Sequence, residues 1–221
     1  MTDEADPRAI IRKRVLAVRP FDGKEAADQA EILRWVDSGA PLYRTAGPDS
    51  PPQHLCVYFA LIDDASRSVL LIHHVKAQMW LLPGGHVDEG EDPRDTAQRE
   101  AMEELGIDAR FHPMLGPGDE AFFVSITKTG DDPPHVDVTL WFVLACAQGE
   151  TLRPDPREIS AIRWAPLDDP GGWAADCYDP QMGRFTRKLT AVLVARGSDL
   201  SKALAGSQGT IGIGRDSHDL R

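Results

Sequence analysis

Glu100, Glu103 and Glu104 stand at i, i+3 and i+4 in the run Arg99-Glu100-Ala101-Met102-Glu103-Glu104. On a helix these spacings put three carboxylates on one face, where like charges repel by roughly 0.2–0.5 kcal/mol per pair. A divalent cation with oxygen ligands offsets that repulsion. The competing reading is a solvated acidic face. Ala97, Ala101 and Leu105 recur at i, i+4 and i+8 and form an apolar stripe. Glu100 and Glu104 fall beside that stripe rather than at the solvent pole, which is a costly place for negative charge without a cation. The chemistry expected is that of a hard metal held by carboxylates.

The helix that must carry these groups has clear limits. Asp92 is a good N-cap, Pro93 suits the first helical position and Asp95 favours the first turn. Gly106 follows Leu105 as a left-handed C-cap. The pattern predicts a helix over 93–105. Upstream lies Trp80-Leu81-Leu82-Pro83-Gly84-Gly85. Two glycines after a proline suggest backbone that turns sharply or lies close to a ligand.

The remaining elements follow from periodicity. Residues 1–8 are expected to be irregular, and 10–21 is open between helix and strand. A helix is expected over 23–36, stopped by Ser38-Gly39. Residues 46–53 (AGPDSPPQ) read as a linker. Strands are expected over 54–62 and 68–74, forming a hairpin, and over 120–126, 136–147 and 159–166. An edge strand is expected over 109–115, and a last helix over 181–195 with Phe185, Leu189, Val192 and Leu193 as its apolar side. Beyond Gly197 the composition turns to Gly, Ser and Asp, which predicts a mobile tail. The organisation expected is an N-terminal extension (1–50), a main domain (51–197) and a tail (198–221).

The chain has 221 residues, a net charge of -11 and 42% hydrophobic residues. It can bury one sizeable core. The charge argues against binding nucleic acid or anionic membrane, but a bound metal can invert the local field for a small anionic substrate. Cys56, Cys146 and Cys177 form no CxxC pair and read as reduced thiols. Cys56 and Cys146 sit in apolar runs, as small buried hydrophobes do. No apolar run has the length of a membrane span and no secretory h-region is seen. A cytoplasmic location is the default.

From Gly85 to Ile107 the sequence reads Gly85, five residues, Glu91, seven residues, Arg99-Glu100-Ala101-Met102-Glu103-Glu104-Leu105-Gly106-Ile107. This resembles the box of the Nudix hydrolase superfamily, G-x5-E-x7-R-E-U-x-E-E-x-G-U, with U a bulky aliphatic. Every fixed charged and glycine position is present. Ala101 departs from the usual bulky aliphatic and implies looser packing there. With the flanking strands, the likeness spans about residues 54–170.

The resemblance implies an α/β/α sandwich with a mixed central sheet, here with an N-terminal helical extension. It implies hydrolysis of a nucleoside diphosphate linked to another group, with Mg2+ or Mn2+. Glu100, Glu103 and Glu104 would be metal ligands, and Glu100 would also help deprotonate the attacking water. Arg99 would orient the carboxylates, and Glu91 would pair with it and pin the loop. A further family carboxylate lies before a Trp in the last strand. Glu158, six residues before Trp164, has that spacing and would be a fourth ligand. Gly84 and Gly85 would lie against the substrate. A MutT-like nucleoside triphosphate pyrophosphohydrolase is the generic expectation, and a non-catalytic ligand sensor on the same fold is the alternative. Such sensors typically lose box carboxylates, which this chain keeps.

Other residues carry weaker signals. Trp80, Phe122 and Phe142 are candidate stacking platforms for a base, against the commoner role of strand aromatics as core. His73, His74 and His86 lie near the site, but hard cations favour oxygen ligands. Lys76 reads as a surface lysine in a turn. Asp137 alternates with apolar neighbours and faces either the pocket or solvent. The N-terminal helix is a candidate cover for the pocket or a candidate homodimer contact.

Overall fold

A seven-stranded mixed sheet divides the molecule into two layers of helix. The computed structural model describes residues 6–45, 50–113, 120–129, 134–168 and 172–207, with side chains to residue 196. At the centre runs β1 (Gln53–Asp63), whose apolar run is buried on both faces. Strand β6 (Val136–Ala145) lies parallel to it along its length, with Gln53 opposite Val136 and Ile62 opposite Ala145. Near its end β1 turns into β2 (Ser68–His74) as an antiparallel hairpin. Near its start β1 pairs with the short β4 (Gly84–His86). Strand β2 also pairs with β3 (Trp80–Leu81) and with β7 (Ile159–Pro166), while β5 (Phe123–Lys128) pairs with β6.

Alternation along β1 sends Leu55, Val57, Phe59 and Leu61 to one face and Ala60 and Ile62 to the other. The first face packs against α1 (Pro7–Ala17), α2 (Gly23–Asp37) and α3 (Pro93–Leu105) through Ile11, Val15, Ile32, Val36, Ala97, Ala101 and Leu105. The second packs against α4 (Met182–Ser207) through Met182, Phe185, Leu189 and Leu193. This is the expected α/β/α arrangement. The first two helices share one core with α3.

Four expectations change. The N-terminal segment is helical from Pro7, because Asp6 caps it and Pro7 opens it. Over 109–113 no strand forms beyond a single bridge from Phe111 to Leu144, and residues 114–115 lie outside the described set. The strand expected over 120–126 starts at Phe123 and runs to Lys128. The last helix passes Gly197 and continues to Ser207; one glycine inside a helix costs only about 1 kcal/mol. Residues 208–221 of the expected tail and 46–49 of the expected linker lie outside the described residues.

Candidate active site

Helix α3 is held by the caps that its sequence supplies. The Asp92 carboxylate accepts from the Arg94 N–H, and Gly106 takes φ +65°. Gly106 N–H closes on Met102 O, and Ile107 N–H on Ala101 O. The buried stripe Ala97, Ala101, Leu105 then fixes the rotation of the helix, and that rotation aims the glutamates.

Glu104 is almost fully buried, Glu100 is largely enclosed and Glu103 is exposed. The Gly84 N–H donates to Glu104 Oε2 at 2.8 Å, but Glu104 Oε1 is enclosed with no hydrogen-bond partner. Burial, followed by the charges of Glu100, Glu158 and Asp155, pushes the Glu104 carboxyl up to about 8 even though the Gly84 N–H opposes it. Burial likewise raises Glu100, against the pull of Arg99. Glu100 packs onto the Gly85 backbone, where an added Cβ would stand 2.1 Å from Glu100 Oε1. A side chain there would push the Glu100 carboxylate out of place, whereas at Gly84 (φ +155°) an added Cβ would stand 2.1 Å from the Val57 carbonyl oxygen, and the backbone itself requires glycine.

Arg99 ties the set together. Its Nε and Nη2 donate to the two oxygens of Glu91 at 3.1 and 3.0 Å. Its Nη1 donates to Glu100 Oε1 at 2.8 Å and Glu103 Oε2 at 3.2 Å, and Nη2 also reaches His86 O at 3.2 Å. The surrounding carboxylates raise the guanidinium further above its usual range. Burial acts to raise Glu91, but hydrogen bonds from Arg99 and Thr96 and from the Asp88 N–H more than offset it and leave the carboxyl low.

Glu91, Arg99, Glu100, Glu103, Glu104, Gly84 and Gly85 therefore meet in one place. Glu158 is exposed on the loop before β7, and its charge reaches Glu100 and Glu104. Trp80 is covered on one side by Arg163, whose guanidinium carbon lies 4.1 Å from the ring centroid. Phe122 packs edge-on to Phe185 at 5.9 Å, beneath the Lys188 ammonium. Phe142 is fully buried core and Lys76 is exposed.

Two supports escaped the sequence reading. Thr96 Oγ donates to Glu91 Oε2 at 2.7 Å; its place one turn into the helix, five residues after Glu91, is a usable signal. Arg14 of α1 clamps the Asp92 cap with bonds of 3.0 and 2.8 Å, and nothing local in the sequence points to it.

A putative 8-oxo-dGTP diphosphatase of Bacillus subtilis is 36% identical over 58 residues, which cover 26% of this chain and 39% of that protein. The m7GpppN-mRNA hydrolase NUDT17 of Danio rerio is 30% identical over 122 residues, 49% of this chain and 40% of that protein. The chain thus spans about two fifths of the length of these curated relatives. A crystal structure of a MutT NUDIX hydrolase from Burkholderia pseudomallei matches 53% of this chain and 85% of its own at 27% identity, with a TM-score of 0.41. The NUDIX domain model matches residues 52–189. That match takes in more than half of the chain, together with the sheet, α3 and the clustered carboxylates, and the chain belongs to the NUDIX domain family.

Proposed function

We propose that this chain is a metal-dependent pyrophosphohydrolase that cleaves a phosphoric anhydride bond in a nucleoside-diphosphate-linked small molecule. The observation that carries the reading is Glu104 Oε1, a buried carboxylate oxygen with no partner, beside Glu100. A buried charge is paired, protonated or bound to a metal. The donors are oxygens, as Mg2+ or Mn2+ requires. In this reading Glu100, Glu103 and Glu104 hold the cation, and Glu158 completes the set.

Such a cation supplies positive charge that polarises phosphoryl oxygens and lowers the pKa of a water. The protein's own groups do the rest. Arg99 spans Glu91, Glu100 and Glu103 and fixes their spacing before substrate arrives. Glu100, held by Arg99 at the edge of the carboxylate set, is the group assigned to accept a proton from the attacking water in this reading. Gly85 leaves no side chain against the Glu100 carboxylate, and Gly84 brings its N–H to Glu104. With a net charge of -11, the surface favours a small, metal-neutralised nucleotide over a polyanion. A nucleoside triphosphate is the generic substrate in this reading.

Glu103→Gln is the first test, because Glu103 is exposed and its loss leaves the fold intact. Metal-dependent release of phosphate or pyrophosphate should fall on the order of 100-fold or more, the scale of a lost charge-stabilising or acid–base group. Wild-type turnover by that variant would sink the site assignment. A panel of nucleoside triphosphates, ADP-ribose, NADH, diadenosine polyphosphates and nucleotide sugars identifies the leaving group. No turnover of any of them with Mg2+ or Mn2+ would favour a ligand sensor instead.

A further inference from the structure

A second group of ligand-type side chains lies on the face of β1 turned away from α3. One donor atom from each of His54, Cys56, His86 and Asp137 lies within 4.8 Å of all the others. Three strands supply them. The register sets His54 beside Asp137 across β1 and β6, and Cys56 opposite His86 across β1 and β4. His54 and Cys56 are buried, and His86 and Asp137 are half-buried.

The state of His54 is informative. Its Nδ1 lies 3.2 Å from the Pro51 carbonyl oxygen. A carbonyl only accepts, so the Nδ1 N–H faces Pro51 and Nε2 is the ring atom turned toward Asp137 and the cluster. That nitrogen is enclosed, has no hydrogen-bond partner and stands 3.3 Å from Asp137 Oδ1. Cys56 Sγ lies 3.5 Å from the same oxygen, and His135 Nε2 lies 3.3 Å from it. His54 Nε2 and Asp137 Oδ1 thus converge at ion-pair distance, and either a proton on the ring or a bound metal cation can join them. An imidazole that donates its other N–H to a backbone carbonyl is also the usual outer support of a metal-bound histidine.

The donors differ in kind from the glutamate set. Two imidazoles, a thiol and a carboxylate suit a borderline cation such as Zn2+, which takes four such ligands in a closed tetrahedral site. Mg2+ takes oxygen ligands and has little use for these. We propose that His54, Cys56, His86 and Asp137 bind one borderline divalent cation of the zinc class, and that this ion is structural and ties β4 and β6 to β1. The site stands apart from the hydrolase reading and does not depend on it. The two share β4, where the His86 ring joins the cluster and the His86 carbonyl accepts from Arg99.

The test uses the full chain, stripped with chelator and then given metal alone. One equivalent of Co2+ should produce a thiolate-to-cobalt charge-transfer band in the near ultraviolet, and Zn2+ should abolish it by displacement. Cys56→Ser should lose the band, while Cys177→Ser and Glu104→Gln should keep it. X-ray absorption of the wild-type complex with one Zn2+ keeps the test open where a variant fails to fold. It should show one sulfur at about 2.3 Å among nitrogen and oxygen ligands. No band on adding Co2+, a band that survives in Cys56→Ser, or a zinc shell without sulfur would each overturn the proposal.

Discussion

Glu104 shows how one side chain can hold local strain. Its stem is packed with the α3 stripe, one oxygen takes the Gly84 N–H, and the other is sealed in with nothing to accept. The charges of Glu100, Glu158 and Asp155 all act against its ionisation. Without a cation, folding must either protonate this group or bury its charge, and both cost free energy at neutral pH. Glu104→Gln removes the charge and keeps an oxygen for the Gly84 N–H. The variant should therefore be more stable than wild type in EDTA, by about 1 kcal/mol or about 2–4 °C for a chain of this size. In the wild type Mg2+ should raise the melting temperature, and in the variant most of that rise should be gone. Thermal melts with and without Mg2+ check both halves. A variant that melts below wild type in EDTA would show that Glu104 is satisfied in the metal-free fold.

Among the elements, α2 and α4 illustrate a joint that depends on charge. Asp22 caps α2 through the Glu25 N–H at 2.8 Å and also receives two bonds from Arg184 of α4, at 2.6 and 3.0 Å. The hydrogen bonds from Arg184, aided by the helix cap, hold the Asp22 carboxyl down at about 2. The folded value lies below the ordinary aspartate value of 3.8, so the stabilisation is complete above pH 3.8 and is lost as pH falls towards 2. Asp22→Asn keeps a capping side chain but drops the charge. Because the pair is partly solvent-screened, the loss at pH 7 should be about 1 kcal/mol or less, and it should shrink between pH 4 and 2. Urea titrations of both proteins at pH 7 and pH 3 test this, and an equal gap at both would refute it. The sequence showed such features unevenly. The limits of α3 were legible because Asp92, Pro93 and Gly106 mark them chemically, and β1, β2, β6 and β7 because their apolar runs end at turns. Strands β3 and β4 were not, since Trp80-Leu81 and Gly84-Gly85-His86 are too short to show alternation. Glu100, Glu103 and Glu104 were legible because one helix carries all three. The cluster of His54, Cys56, His86 and Asp137 was not, because only the register of three strands brings it together. Read singly, Cys56 was a small buried hydrophobe and Asp137 an open choice.

At the scale of the molecule, the N-terminal helices are part of the structure that holds the box. Arg14 of α1 clamps the cap of α3, Gln29 of α2 satisfies the last carbonyls of α1 at Val15 and Val18, and Arg8 does the same for α2 at Val36. The link to the far end of the chain is Lys188. Its ammonium donates to Glu25 Oε1 at 2.6 Å and to the Phe122 carbonyl at 2.5 Å, with Glu25 fully buried and Lys188 4% exposed. Glu25 Oε2 takes the Phe21 N–H, so both carboxylate oxygens are used. A buried pair of this kind is weak evidence for net stabilisation, because desolvating both charges offsets much of their attraction. Breaking it from one side is different, since it strands a charge in the core. Lys188→Met should cost about 3–5 kcal/mol by leaving Glu25 uncompensated. Adding Glu25→Gln to that variant removes the stranded charge, keeps an acceptor for the Phe21 N–H and should recover a large part of the loss. Denaturant unfolding of the two single variants and the double variant forms the cycle that measures this. Strictly additive losses would mean that the two residues do not act as a pair, and that the joint between α2 and α4 rests on packing and on Arg184 with Asp22 and Asp28.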